Sequence, residues 1–306
     1  MSKFMSIFSL SRIIFVFALI YSGIHMEGHG SPIRPIIDNI TSAQPKKFRT
    51  SHDHVSTRLN IKGLRELNIS GSGQFSQESL LKALDELPVQ SSQVIIVDLR
   101  QESHIFINTC AVSWTDSIYN HANEGKQLSE IEADEHMRLT KVNEEGKIQL
   151  SKKDNYQSEE WVIQLLQTER QLAESLGLRY IRLPVADHCR PSNEVVDLFI
   201  QNIRSISGDK WLYFHCRGGS GRATTFMVLY DIMMNSKEVS LKDILKRQHA
   251  LGGKDLTSMD PNNNKYHMAV DRLEFIEKFY EYCRQNSWNT LLWSEWLKNQ
   301  SIDGCE

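Results

Sequence analysis

Residues 215–222 read His-Cys-Arg-Gly-Gly-Ser-Gly-Arg, so that one cysteine, Cys216, and one arginine, Arg222, bracket a glycine-rich turn, and an apolar helical pattern follows at once. Each part has a chemical task. Gly218, Gly219 and Gly221 let the backbone curl until successive N–H groups, those of Arg217 and Ser220 included, face one concavity. The positive end of the helix dipole adds to them, making an anion site sized for phosphate. Thiols held at a helix N-terminus beside cations ionise readily, so Cys216 reads as a thiolate nucleophile, with His215 ahead of it in the same loop. Arg222 brings a planar fork of donors for two equatorial phosphoryl oxygens. A core cysteine beside a plain strand-to-helix turn would explain neither the arginine nor its spacing.

Phosphoryl transfer from an alcohol also needs an acid for the departing oxygen. Asp187, in Pro184-Val-Ala-Asp187-His188-Cys-Arg190-Pro191, is the candidate, because it lies between a strand pattern and a helix pattern where a segment can close over substrate. The plainer alternative is an Asp that caps a turn before Pro191. His188 either contacts a substrate phosphate or packs. No C-x2-C pair, H-E-x-x-H helix or acidic cluster has metal-ligand spacing, so neither a metal nor another cofactor is expected.

The loop must be carried by a strand and a helix, and both are legible. Trp211 to Phe214 is a short apolar strand, and Phe226, Leu229, Tyr230 and Met233 recur at helical spacing behind the loop. Upstream, Ser76 caps a helix with Leu80, Leu81, Leu84 and Leu87 that stops at Pro88, and Val94 to Val97 is a buried strand. Residues 105–157 are mixed and predict a β-rich elaboration with a helix near Leu128 to Leu139. A helix from Glu159 to Leu176, stopped at Gly177, then precedes a strand at Tyr180 to Val185. Pro191 and Ser192 open a further helix carrying Val195, Leu198, Phe199 and Ile203. Trp293 and Trp296 are expected in the core. Strands alternating with helices imply an α/β fold, with a mostly parallel central sheet flanked by helices and a smaller β-rich part.

Composition excludes several classes. Of 306 residues, 35 are Lys or Arg and 38 are Asp or Glu, a formal charge of −3 that does not suit a basic nucleic-acid binder. With 40% apolar and 24% charged residues, a real core can form. Five thinly spread cysteines, Cys110, Cys189, Cys216, Cys283 and Cys305, do not make a disulfide scaffold. Lys3 and Arg12 precede the uncharged run Ile13 to Ile24, the layout of a secretory signal over residues 1–27. That run is shorter than the ~20 residues of a spanning helix. Export with cleavage and no stable membrane association is therefore expected, with an uncleaved anchor as the alternative. The patterns set no oligomeric state.

The H-C-x5-R segment is the signature of the cysteine-dependent protein tyrosine phosphatase superfamily, and most of residues 45–300 resembles one branch of it, the PTP-like phytases. The resemblance is carried by residues 98–104 (DLRQESH), Asn108, Val112-Ser113-Trp114, GRATTFMVLYDIMMN with SLKDILKRQHALGG behind it, Phe48-Arg49-Thr50 and Trp293-Ser-Glu-Trp296. Three positions depart from it. Thr109 stands where the branch commonly has glycine, Thr115 where it has tyrosine, and Ala223 where a hydroxyl usually helps the thiolate leave phosphocysteine; Thr224 is the candidate to replace that hydroxyl. The resemblance implies a PTP-like phosphatase domain over residues 28–306. It implies removal of phosphates from myo-inositol hexakisphosphate or related inositol polyphosphates, with Asp187 in the general-acid loop. It also implies basic substrate contacts at Arg49, Lys152, Lys153 and Lys265. The loop alone does not distinguish this substrate from phosphotyrosine in proteins, and Ala223 leaves room for a phosphate-binding module without turnover.

Overall fold

The computed structural model describes residues 33–303 except 57, 117–119, 153, 154, 286, 287 and 289. The expected leader, residues 1–27, lies outside the described residues. The strands in chain order are β1 (Arg34–Asn39), β2 (Arg49–Thr50), β3 (Ile69–Ser72), β4 (Val94–Arg100), β5 (His104–Ile107), β6 (Cys110–Thr115), β7 (Lys147–Lys152), β8 (Asn155–Val162), β9 (Leu166–Gln167), β10 (Arg179–Val185) and β11 (Trp211–His215). The helices are α1 (Gln77–Asp85), α2 (Leu128–Glu145), α3 (Glu169–Ser175), α4 (Asn193–Ser205), α5 (Gly221–Asn235), α6 (Leu241–Ala250), α7 (Tyr266–Gln285) and α8 (Trp293–Asp303).

One sheet runs β10-β4-β11-β3-β2, with the first four strands parallel and β2 an antiparallel edge. Its central strands are apolar on both faces because both are covered. Along β4, Ile95 and Val97 join Phe199, Phe214, Phe226 and Ile276 on one side. Val94 and Ile96 join Phe75, Leu80, Leu172 and Trp211 on the other, as the two-residue period of a strand requires. Helix α5 is buried almost all round, which explains an apolar pattern broader than one stripe. Trp293 and Trp296 stack at 5.3 Å within this core. Among the described residues no helix is long and apolar enough to cross a membrane.

The second sheet, β8-β7-β1-β6-β5-β9, takes the strands found within residues 105–157, with α2 between them. Strand β1 lies inside it, antiparallel to β6 and parallel to β7. Helix α2 extends past the expected end to Glu145, where Gly146 takes a left-handed φ of 66°. The expected helix from Glu159 to Leu176 is corrected. Its first residues belong to β8, paired antiparallel with β7 so that Trp161 faces Ile148, and only α3 is helical. The true start is Thr168, whose hydroxyl accepts from Gln171 N while Gln171 reaches back to Thr168 N, a capping box at the head of a short amphipathic turn.

Candidate active site

Strand β11, at the centre of the parallel sheet, ends at His215, and Cys216 follows as the first residue of the loop leading into α5, outside the carboxyl ends of the strands where α/β sheets bind ligands. Cys216 is 3% exposed. Gly219 has a φ of 66°, and a Cβ there would lie 2.3 Å from Gly73 N, so only glycine lets the loop pass. Arg49 sits behind this loop, buried. Its Nη1 donates to Gly219 O (3.0 Å) and Lys47 O (2.9 Å), and its Nη2 donates to Thr224 Oγ1 (3.0 Å). Burial pushes its pKa down to about 10. The structure therefore places Arg49 as a brace on the loop carbonyl and not on the cleft wall.

Arg222 is fixed by a carboxylate fork. Its Nη1 and Nη2 donate to Glu102 Oε2 (2.7 Å) and Oε1 (3.0 Å), and Nη1 also donates to Val185 O (3.0 Å). Burial works against charge on Glu102, but Arg222 and Arg100 hold its pKa well below the carboxylate range. Arg100 Nε donates to Glu102 Oε1 (2.9 Å), and Arg100 Nη2 lies 2.9 Å from Asp38 Oδ2. Asp38 Oδ1 then accepts from Arg217 Nε (2.9 Å). Alternating charges thus run from one end of the loop to the other through β1 of the second sheet. Sequence reasoning missed Glu102 and Asp38.

Asp187 reaches the same point from the end of β10, with Oδ1 3.2 Å from Arg222 Nη2. His188 N donates to that oxygen (3.0 Å), and His121 Nε2 donates to Asp187 O (2.8 Å). His188 has a φ of 68°, unusual for a residue with a Cβ. Its carbonyl accepts from Arg272 Nη1 (3.2 Å), and Lys265 Nζ donates to its Nε2 (2.7 Å). Burial, reinforced by Lys265, Arg222 and Lys254 and opposed by Asp187, pushes the His188 pKa down to about 4. The ring is neutral at physiological pH and accepts from the lysine.

These groups open on a cleft of about 620 Å³ lined also by Lys46, Lys254 and Arg272. Burial, then Arg272, Lys265 and Lys47, lowers the Lys254 pKa. Lys265 also lines the cleft. Lys46, Lys254 and Arg272 had no periodic signal in the sequence; their cues were the Lys46-Lys47 pair ahead of Phe48 and the glycines before Lys254. Lys152 ends β7 opposite Ile37, while its side chain and all of Lys153 lie outside the described residues.

Beneath the loop, His215 Nε2 lies 2.6 Å from Glu169 Oε1, and His104 Nε2 lies 3.3 Å from both Asp98 Oδ2 and Glu169 Oε2. Ligand-type atoms of Asp98, Glu169 and His215 fall within 4.8 Å of one another, but His104 and Arg182 already supply the balancing charge. Burial opposes the charge on His104, and Asp98 outweighs it, so its pKa is pushed up to about 10. The cluster is an ion-pair network under β11.

A parallel sheet that delivers a thiol to a helix N-terminus, with a carboxylate arriving from the end of a strand two places away, defines the protein tyrosine phosphatase-like class. Comparison with known proteins narrows this. The PTP-like phytase family model, described by inositol hexakisphosphate, matches residues 97–234. A PTP-like phytase from Bdellovibrio bacteriovorus is 32% identical with a TM-score of 0.73, over 87% of this chain and 95% of that one. The PTP-like myo-inositol phosphatase from Mitsuokella multacida, solved in complex with myo-inositol-(1,3,4,5)-tetrakisphosphate, is 31% identical with a TM-score of 0.83, over 88% of this chain and 48% of that one. The effector protein hopD2 of Pseudomonas syringae pv. tomato is 28% identical over 84% of this chain and 57% of its own length. The chain belongs to the PTP-like phytase family. It spans about half the length of the Mitsuokella and Pseudomonas relatives.

Proposed function

We propose that this chain hydrolyses inositol hexakisphosphate and related inositol polyphosphates through a phosphocysteine intermediate. The observation that carries the reading is the number of cations around a single reaction centre. Lys46, Lys254, Lys265 and Arg272 line one cleft with Cys216 and its loop, more positive charge than one phosphate requires. The Cys216 thiolate attacks phosphorus, the S–P bond forms, and the P–O bond to the alcohol breaks as Asp187 gives its proton to the departing oxygen. Arg222 and the loop amides hold the equatorial oxygens throughout. Water then attacks phosphorus and gives a proton to the Asp187 carboxylate, the S–P bond breaks, and phosphate leaves with the thiolate restored.

The test separates loop from rim. Lys254→Ala and Lys265→Ala should each raise KM for inositol hexakisphosphate at least several-fold while barely changing that for a small monophosphate. Added salt should act in the same direction, because attraction between partly exposed charges is screened beyond ~8 Å at physiological ionic strength. Equal effects on both substrates, or preference for a phosphotyrosine peptide over the inositol ester, would replace the assignment by protein phosphatase.

A further inference from the structure

The connection from β6 to α2 places one side chain on the backbone of the Asp187 loop. His121, 12% exposed, sits in that connection with its Nε2 2.8 Å from Asp187 O. A carbonyl only accepts, so Nε2 carries the proton and donates. Nδ1 faces Glu124 Oε2 at 3.3 Å, and that carboxylate is largely exposed. The ring is presented by a fixed backbone. Asp116 Oδ1 and Oδ2 accept from the N–H groups of Asn120 (2.8 Å) and His121 (2.9 Å), and buried Asn123 donates through Nδ2 to Gln101 O (3.0 Å) and Ser103 Oγ (2.9 Å). What the ring holds is a strained peptide. His188 follows it with a left-handed φ of 68°, a conformation that persists only where surrounding bonds over-determine it.

In a planar trans peptide the C=O and N–H point to opposite sides, so a bond on one fixes the direction of the other. With Asp187 O turned to His121, His188 N points back to Asp187 Oδ1 (3.0 Å), the oxygen that lies 3.2 Å from Arg222 Nη2. We propose that His121 is a positioning residue for the general acid: it pins the Asp187–His188 peptide in this orientation and so keeps the Asp187 carboxylate beside Arg222. The inference rests on the phosphatase reading, in which Asp187 is the acid. Arg272 Nη1 also grips the loop, at His188 O (3.2 Å), but that carbonyl belongs to the next peptide. Without the His121 donor the Asp187–His188 peptide turns, φ at His188 relaxes, and His188 N leaves Oδ1.

Two substitutions separate the donor from the ring. His121→Phe keeps a ring and removes the donor, whereas His121→Gln keeps a donor near the place of Nε2. With glycerol phosphate, an alkyl ester too small to engage the rim, His121→Phe should lower kcat roughly tenfold, the scale of one hydrogen bond, while turnover of an activated aryl phosphate barely changes. His121→Gln should recover most of the loss, and adding His121→Phe to Asp187→Asn should cost nothing further. Amide hydrogen exchange of the full chain gives a readout without turnover: His121→Phe should speed exchange at His188 N several-fold and leave Val97 and Phe214 in the parallel sheet unchanged. If Asp187→Asn itself spares the alkyl ester, the acid assignment falls and the inference with it. If Asp187→Asn is costly while His121→Phe is not, if His121→Phe slows both esters equally, or if exchange at His188 is unchanged, the positioning role alone is overturned.

Discussion

On the proposed mechanism, alanine at 223 should slow the second step. Thr224, the neighbouring hydroxyl, is 1% exposed, and its oxygen accepts from Arg49 Nη2 and Lys254 N behind the loop. Among the described residues no side-chain hydroxyl is bonded to the Cys216 sulfur, so on the proposed mechanism the thiolate expelled when water cleaves phosphocysteine would rest on the loop amides and the nearby arginines. Ala223→Thr is expected to speed that second step. With an activated aryl phosphate, whose first step is fast, turnover should rise several-fold and the pre-steady-state burst should shrink; a variant with an unchanged burst places the slow step elsewhere. Asp187→Asn is expected to act on the first step. It should cost ~10²–10⁴-fold on an alkyl phosphate and far less on the aryl ester, whose leaving group needs no proton; equal losses would indicate a binding or folding defect. Cys216 and Arg222 were legible as a pair in the sequence because one turn carries both. Glu102 and Asp38 were not, being 120 and 179 residues from the arginines they hold. Nothing local marks an acidic residue as the partner of so distant a cation.

The hairpin between β5 and β6 shows what a departure from the family pattern does to an element. Asn108 and Thr109 form its two-residue turn with φ of 49° and 73°, the geometry that favours Asn-Gly. A β-branched residue pays ~1–2 kcal/mol for a left-handed backbone. Thr109→Gly should therefore stabilise the protein by about 1 kcal/mol and raise Tm by ~1–2 °C at this chain size, with kcat unchanged. A lower Tm in a thermal melt would mean that the threonine side chain contributes more than its backbone costs. Elements with local punctuation were readable: Ser76 and Ser192 do cap α1 and α4, and the apolar run of β4 is buried throughout. Residues 159–167 were misread because Glu and Gln favour helix, whereas here the pairing of β8 with β7 decides. That pairing is tertiary, and intrinsic propensity is too weak to resist it.

At the scale of the molecule, the two sheets meet in the buried network of Asp98, His104, Glu169 and His215. His104 comes from the second sheet and Asp98 from the parallel one. Its folded pKa of about 10 stands above the unfolded value of ~6.5, so between those limits the native state holds a proton that the unfolded chain has lost. The stabilisation is complete below pH ~6.5 and is lost as pH rises to 10, at up to ~1.4 kcal/mol per pH unit. Urea midpoints should fall between pH 7 and 9, and His104→Gln should flatten the decline; parallel slopes in the two proteins would assign it to other groups. Strand β1 imposes an order of events on the same framework. It is the first described strand of the chain, yet it lies in the interior of its sheet, and its partners Thr115 and Ser151 come much later. During synthesis it waits with open edges, and closing those long loops is the slow part of assembly. Because Asp38 on this strand anchors Arg217, the phosphate cradle is completed only when β1 is seated, and catalytic competence is expected to arrive with the last long-range pairing.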